Sequence, residues 1–124
     1  MFDLTAEEAR LLLNIALMAV GANRFRSATK ILAVLERFRP DAPSVAAAKA
    51  VALLSAGQFT EGLDFLEGET APGRFPGNPM LAAFKGLALL RLGRADEAEA
   101  PLRLAAAQTA DPAAAQLAKG LLES

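Results

Sequence analysis

The chain contains no cysteine, histidine, tryptophan or tyrosine. Without cysteine and histidine it cannot form a disulfide, a zinc site of the usual ligand types, a cysteine nucleophile or a histidine-based triad. Few general acids or bases remain. Two adjacent carboxylate pairs, Glu7/Glu8 and Asp96/Glu97, stand at predicted helix starts, where acids complement the helix dipole. We therefore predict a non-catalytic protein with no metal and no other cofactor.

An excess of positive charge is also missing. The chain has 13 basic and 14 acidic residues, a net charge of −1, and its basic residues are scattered. This balance predicts neither nucleic-acid binding nor attraction to an anionic membrane. The most apolar run, residues 11–22, is shorter than the roughly 20 residues that span a bilayer. Asp3, Glu7 and Glu8 precede it, where a secretion signal needs positive charge. We therefore predict a cytoplasmic protein that does not insert into membranes.

Apolar residues, by contrast, are abundant. They make up 53% of the chain, and the mean hydropathy is +0.29. Much of this content is alanine, which favours helix and allows helices to pack closely. One interpretation is simply an alanine-rich helical protein. The other is that an apolar surface of the protein is covered by a partner.

A short turn-like pattern occurs three times, as NRFRSA at 23–28, GQFTEG at 57–62 and GRADEA at 93–98. Phe25 and Phe59 are 59 − 25 = 34 residues apart, the repeat length of tetratricopeptide helical hairpins. The next interval is 95 − 59 = 36, so two residues are inserted. In this register small residues recur where the two helices of each hairpin would touch: Ala16, Ala28, Ala50, Gly62, Gly86 and Ala98.

Helix starts are marked by capping signals. Thr5 and Glu8 have the spacing of a capping box, and Asn78-Pro79 and Asp111-Pro112 each combine an N-cap with a first-turn proline. Pro43 is predicted to open a helix in the same way. The pattern predicts helices over about 5–20, 24–38, 43–56, 59–67 and 78–93, a sixth helix containing Ala98, Leu102 and Ala105, and a last helix over 112–122 with Leu117, Leu121 and Leu122 buried.

Two segments leave alternatives open. Pro101 lies well inside the sixth helix, so either that helix is kinked or it begins later than the repeat pattern suggests. The 68–77 segment is predicted to be an irregular loop containing Phe75. It is either a binding element or a loop whose phenylalanine packs against the core.

Together these features predict an all-α fold. A single tetratricopeptide-like repeat domain, 1–124, would contain hairpins at about 9–42, 43–76 and 79–112 and a capping helix at 112–122, stacked as a right-handed α-solenoid. The first helix of each hairpin would line a concave groove, whose predicted residues are Leu13, Leu17, Val20, Ala47, Val51, Leu54, Met80, Ala83, Leu87 and Leu90. Such an apolar groove suits an amphipathic helix of another protein. Alternatively, these residues pack on the terminal helix or on a second copy of the chain.

Short motifs also resemble the tetratricopeptide-like needle-subunit chaperones of bacterial type III secretion and their relatives in plant-pathogen systems. These motifs are LLSAGQF at 53–59, LLRLG at 89–93, and Asp111-Pro112 followed by Gly120. The resemblance implies a virulence-associated chaperone that keeps a self-polymerising needle subunit monomeric by binding its amphipathic C-terminal helix in the groove. It also implies a small helical co-chaperone, and contacts to the bound helix from Leu13, Leu17, Val51, Leu54, Leu87 and Leu90. The alternative is a generic tetratricopeptide scaffold or a self-associating, homodimeric adaptor.

Overall fold

The computed structural model of the chain describes residues 4–70 and 73–123. Every regular element in these two ranges is an α-helix, which confirms the predicted all-α class. The helices are α1 (Ala6–Gly21), α2 (Phe25–Phe38), α3 (Pro43–Ser55), α4 (Phe59–Thr70), α5 (Pro79–Arg91), α6 (Ala95–Ala107) and α7 (Pro112–Glu123).

The predicted capping box is present at the start of α1. The Glu8 backbone N–H donates to Thr5 Oγ1 at 3.1 Å, and the Thr5 backbone N–H donates to Glu8 Oε1 at 3.0 Å. These bonds satisfy two amides that would otherwise lack partners. The hydrogen bond from the Thr5 backbone, and then that from its side chain, lower the pKa of Glu8.

Replacing Thr5 with alanine is expected to lower the free energy of unfolding by about 1 kcal/mol at pH 7, since α1 loses its N-cap. The lowered pKa means that the carboxylate of Glu8 stabilises the fold above its unfolded pKa, and that this contribution is lost as pH falls through the folded pKa. Urea unfolding at pH 7 and near pH 3 should therefore show a smaller effect of Thr5→Ala in acid. The backbone N–H of residue 5 still donates to Glu8 in this variant, so equal effects at both pH values would show that the Thr5 side chain contributes nothing to the lowered pKa of Glu8.

The three predicted turns have a common backbone conformation. Asn23, Gly57 and Gly93 have φ values of 61°, 79° and 76°, in the left-handed region. Glycine and asparagine are the residues that adopt this conformation most readily. The repeated turn pattern in the sequence therefore corresponds to one repeated local structure.

Prolines open three helices as predicted: Pro43, Pro79 and Pro112 are the first residues of α3, α5 and α7. Two of these starts also have a side-chain cap. Asn78 Oδ1 accepts from the Leu81 backbone N–H at 3.0 Å, and Asp111 Oδ1 accepts from that of Ala114 at 3.2 Å.

One expectation about helix ends needs correction, and one open alternative is resolved. The 68–77 segment is not irregular from its first residue, because α4 continues to Thr70, whose Oγ1 donates to the Leu66 carbonyl at 2.8 Å. The sixth helix does not begin late: α6 starts at Ala95, as the repeat pattern suggests, and includes Pro101. Residues 71 and 72 of the predicted loop, and Asp3 of the signal-peptide argument, lie outside the described residues.

Phe75 is half-buried, and the Arg74 guanidinium lies 5.2 Å from the centre of its ring. Arg74 is itself held by Glu69, 2.7 Å away. The Phe75 backbone N–H donates to the Glu69 carbonyl at 2.8 Å. The ring is therefore neither freely exposed nor part of the buried core.

The chain divides into two compact units, residues 1–57 and 58–124. The predicted second hairpin, 43–76, has its first helix in one unit and its second helix in the other. In the first unit α1, α2 and α3 all pack on one another. Their shared core consists of Leu4, Ala16, Val20, Ala28, Leu32, Leu35, Val45, Ala48 and Ala52.

In the second unit α5 is central, since α4, α6 and α7 all pack on it, and α6 also packs on α7. Leu66, Leu81 and Leu102 are its largest fully buried side chains. The predicted inner face of α7 is partly wrong. Alanines 114, 115 and 118 are buried there, whereas Leu117 and Leu121 are half-buried and Leu122 is exposed.

The small residues that mark the repeat register are all buried. This holds for Ala16, Ala28 and Ala50, for Ala98, and for the helical glycines Gly62 and Gly86. At Gly86 the approach of α6 is so close that an added Cβ would overlap Leu102 Cγ and Cδ2. The small-residue pattern therefore identifies positions where the helices pack tightly.

The most apolar run of the sequence, residues 11–22, falls almost entirely in α1, which has 16 residues. Within residues 4–70 and 73–123, no helix combines the length and the apolar character that crossing a bilayer would require.

Candidate functional site

The predicted groove residues of the first unit differ in how far a partner could reach them. Val20 belongs to the buried core, and Leu13 and Val51 pack partly buried against that core. Leu17 is exposed and Ala47 is half-buried. Leu54, with 9% of its side chain exposed, is almost entirely buried. Leu17 therefore offers more surface than the other predicted groove residues of this unit.

In the second unit α7 packs along α5 and covers part of the predicted face. Ala83 is fully buried, whereas Met80, Leu87 and Leu90 are half-buried. This arrangement resembles the alternative in which the terminal helix covers groove residues. The cover is incomplete, because Leu87 and Leu90 line open space.

Two cavities of about 440 and 390 Å³ lie side by side where α5, α6 and α7 meet. Leu90 and Leu121 line both of them. We call this region the α5–α7 cleft, and it is lined chiefly by Leu87, Leu90, Arg91, Glu99, Arg103, Leu121 and Leu122. It combines two predicted groove residues with side chains from two further helices.

The α5–α7 cleft is lined by leucines and by charged side chains. Arg103 and Glu99, one helical turn apart on α6, form an ion pair of 2.7 Å and largely neutralise each other. Arg91 is exposed and forms no ion pair with any residue in 4–70 or 73–123. The cleft therefore combines leucine side chains with charged groups, and among these Arg91 has no ion-pair partner in the described residues.

The sequence did not identify Leu121 and Leu122 as cleft residues, because the pattern of the last helix predicts that both are buried. A signal for their true position is the alanine pattern of α7. Ala114, Ala115 and Ala118 form a face of small residues that packs closely, which leaves the bulkier leucines at its edge.

Of the acidic residues in the two carboxylate pairs, Glu8 and Glu97 have structural partners. Arg94 donates to both carboxylate oxygens of Glu97, at 2.7 and 2.8 Å, and this bond lowers the pKa of that carboxyl. Glu8 is bound in the α1 capping box. Among the described residues, no group of three or more carboxylates is placed to hold a metal ion.

A third cavity, of about 260 Å³, lies between α5 and α6 beside the loop that precedes α5. Ala82, Pro101 and Leu104 provide apolar lining, and Lys85 and Asn78 provide polar atoms. The side-chain oxygen of Asn78, Oδ1, already accepts the capping hydrogen bond at the start of α5. This cavity is smaller than those of the cleft and contains no predicted groove residue.

The outer surface of α1 carries a second apolar feature. Leu11, Ile15 and Met18 are 60%, 41% and 74% exposed, and they recur at i, i+4 and i+7 on one face of the helix. We call them the α1 outer stripe. Helical spacing groups Ile15 on one face with Leu12, Ala16 and Ala19, but Ala16 is fully buried whereas Ile15 is exposed. The periodicity of α1 also did not predict the large exposure of Leu11 and Met18.

No protein-family model matches the chain, and comparisons with curated proteins and with solved structures find no match either.

Proposed function

We propose that the chain is a non-catalytic protein-binding module that holds an amphipathic helix of another protein in the α5–α7 cleft. The observation that carries this proposal is the leucine lining of the cleft together with Arg91, which forms no ion pair among the described residues. A helix bound there would place leucine-like side chains against Leu87, Leu90 and Leu121. An acidic residue one turn away would complement Arg91.

The proposed architecture is three tetratricopeptide-like hairpins with α7 as the capping helix, stacked as a right-handed solenoid. Support comes from the 34-residue spacing, from the repeated left-handed turns and from the burial of all six small register residues. The paired packing of α1 with α2 and of α5 with α6 agrees with the proposed first and third hairpins.

The specific function we propose is that of a type III secretion chaperone for a needle subunit. This rests on the resemblance of residues 53–59 and 89–93 to that family, and two residues of the second motif, Leu90 and Arg91, line the cleft. Binding would keep the subunit monomeric, because the apolar helix face that drives polymerisation would be buried at about 25 cal/mol per Å². The proposed location is the cytoplasm of a bacterium, with a small helical co-chaperone as a further partner.

A direct test uses the needle subunit encoded by the same bacterium, whose polymerisation is followed by light scattering. We expect an equimolar amount of the chain to suppress polymerisation. Leu122→Asp should weaken the binding of the subunit at least about tenfold, because it places a charge on the apolar lining of the cleft. Leu122 is 37% exposed, so this variant should fold.

Val34→Asp is the matched control, since Val34 is 42% exposed on α2 in the other unit. It should suppress polymerisation as the unmodified chain does. Leu54 is too buried to separate binding from folding. Failure of the unmodified chain to suppress polymerisation would refute the chaperone function, and full activity of a folded Leu122→Asp variant would refute the cleft as the site.

The second candidate, a generic scaffold or homodimeric adaptor, is favoured by a different observation. The α1 outer stripe leaves more apolar side chain exposed than the cleft does, and a self-associating protein would bury it.

A further inference from the structure

The α1 outer stripe is an unpartnered apolar surface on the first unit. Of the seven large apolar side chains that are exposed in the described part of the chain, Leu11 and Met18 have the highest exposed fractions. The core residues Ala16 and Val20 lie on the opposite face of the helix. The stripe therefore has no role in the core of its own unit.

Charges of opposite sign stand at the two ends of this stripe. Glu7 lies one turn before Leu11 on the same face of α1. Arg24 lies just beyond the other end, where its backbone N–H donates to the Ala19 carbonyl at 2.8 Å. Both side chains are exposed, and neither forms an ion pair within residues 4–70 and 73–123.

We propose that a second copy of this chain covers the α1 outer stripe, with the two α1 helices antiparallel across a two-fold axis near Asn14 and Ile15. Leu11 of one copy then packs against Met18 of the second, and the two Ile15 side chains meet near the axis. Glu7 of each copy comes near Arg24 of the other. An isologous interface of this kind uses one surface twice and closes on itself.

Charge complementarity selects this occupant and this orientation. A parallel pair would place Glu7 beside Glu7 and Arg24 beside Arg24, whereas the antiparallel pair brings opposite charges together at both ends. The helix dipoles also oppose each other favourably in the antiparallel arrangement. Small residues, Gly21 and Ala22, stand opposite the Glu7 turn and allow the helices to approach closely.

The size of the α1 outer stripe limits the affinity that we expect for the dimer. A 16-residue helix is about 24 Å long, so one helix pair buries less than the roughly 800 Å² per partner of a standard stable interface. We therefore expect a reversible dimer with a dissociation constant on the order of micromolar.

Sedimentation equilibrium of the full chain tests this across a concentration series. The unmodified chain should pass from monomer to dimer. Met18→Glu should weaken the dimer at least about 100-fold, because the two-fold axis places the buried charge in the interface twice. Val34→Glu, on an exposed apolar side chain of α2, should leave the dimer unchanged. A purely monomeric unmodified chain, or a Met18→Glu variant that still dimerises, would overturn the proposal.

Charge reversal tests the orientation. Glu7→Arg and Arg24→Glu should each weaken the dimer several-fold, and the double variant should restore it because each pair is then inverted. No restoration would overturn the antiparallel pairing. This proposal is independent of the chaperone function: Met18→Glu should still suppress needle-subunit polymerisation, and Leu122→Asp should still dimerise.

Discussion

Replacing Pro101 with alanine is expected to raise the free energy of unfolding by about 2 kcal/mol. Pro101 is an interior residue of α6, which runs without interruption from Ala95 to Ala107. Proline has no backbone N–H, so the carbonyl of Glu97, four residues earlier, lacks its helical donor, and the ring crowds the preceding turn. An interior proline costs about 3 kcal/mol. Part of this gain is offset because alanine gives the unfolded chain more freedom.

The matched controls for Pro101 are prolines at helix starts. Pro79 and Pro112 are the first residues of α5 and α7, where no intrahelical donor is lost. Alanine at these positions should change the free energy of unfolding by no more than about 0.5 kcal/mol. Urea unfolding of the three variants provides the comparison. An unchanged stability of Pro101→Ala would show that packing of the ring beside Ala82 and Leu104 compensates for the lost hydrogen bond.

Local features of this fold could be predicted from the sequence because their causes lie within a few residues. The capping box needs only Thr5 and Glu8, three residues apart. The turns need a residue that tolerates positive φ, and Asn23, Gly57 and Gly93 supply it. Interactions between residues so close in sequence do not depend on how the rest of the chain packs.

The faces of the helices could be predicted only in part, because periodicity defines a face without showing which neighbour covers it. In α1 the apolar residues fall on more than one face of the helix; the structure buries Ala16 and Val20 and leaves Leu11, Ile15 and Met18 exposed. Ala83 is fully buried, and α7 packs along α5. Packing between helices that are distant in sequence therefore determines which of these apolar side chains are buried.

The cleft shows the same limit at the candidate site. Leu87 and Leu90 could be assigned from the repeat register, since both lie on the first helix of a hairpin. Leu121 and Leu122 could not, because their position depends on how closely the alanine face of α7 approaches its neighbours. Side chains at the edge of a tightly packed face become cleft lining rather than core.

The tight packing of α5 against α6 predicts a large effect at Gly86. Replacing Gly86 with alanine is expected to lower the free energy of unfolding by about 2 kcal/mol, because the new Cβ would overlap Leu102 Cγ and Cδ2. Leu102 is 1% exposed, so it cannot swing into solvent to make room. Alanine favours helix more than glycine does, so helix propensity alone would make this variant more stable. A loss of stability would therefore be due to the steric overlap.

Gly68→Ala is the matched control for Gly86→Ala. Gly68 lies in α4 with nothing within 4 Å of an added Cβ, so alanine there should stabilise the fold by about 0.5 to 1 kcal/mol. Leu102→Ala alone should cost about 2 to 5 kcal/mol by leaving a cavity. The double variant with Gly86→Ala should lower the free energy of unfolding by less than the sum of the two single effects. The reason is that the shortened side chain at 102 leaves space for the added Cβ at 86. Urea unfolding of the four variants measures this coupling, and strict additivity would contradict the close packing of Gly86 against Leu102.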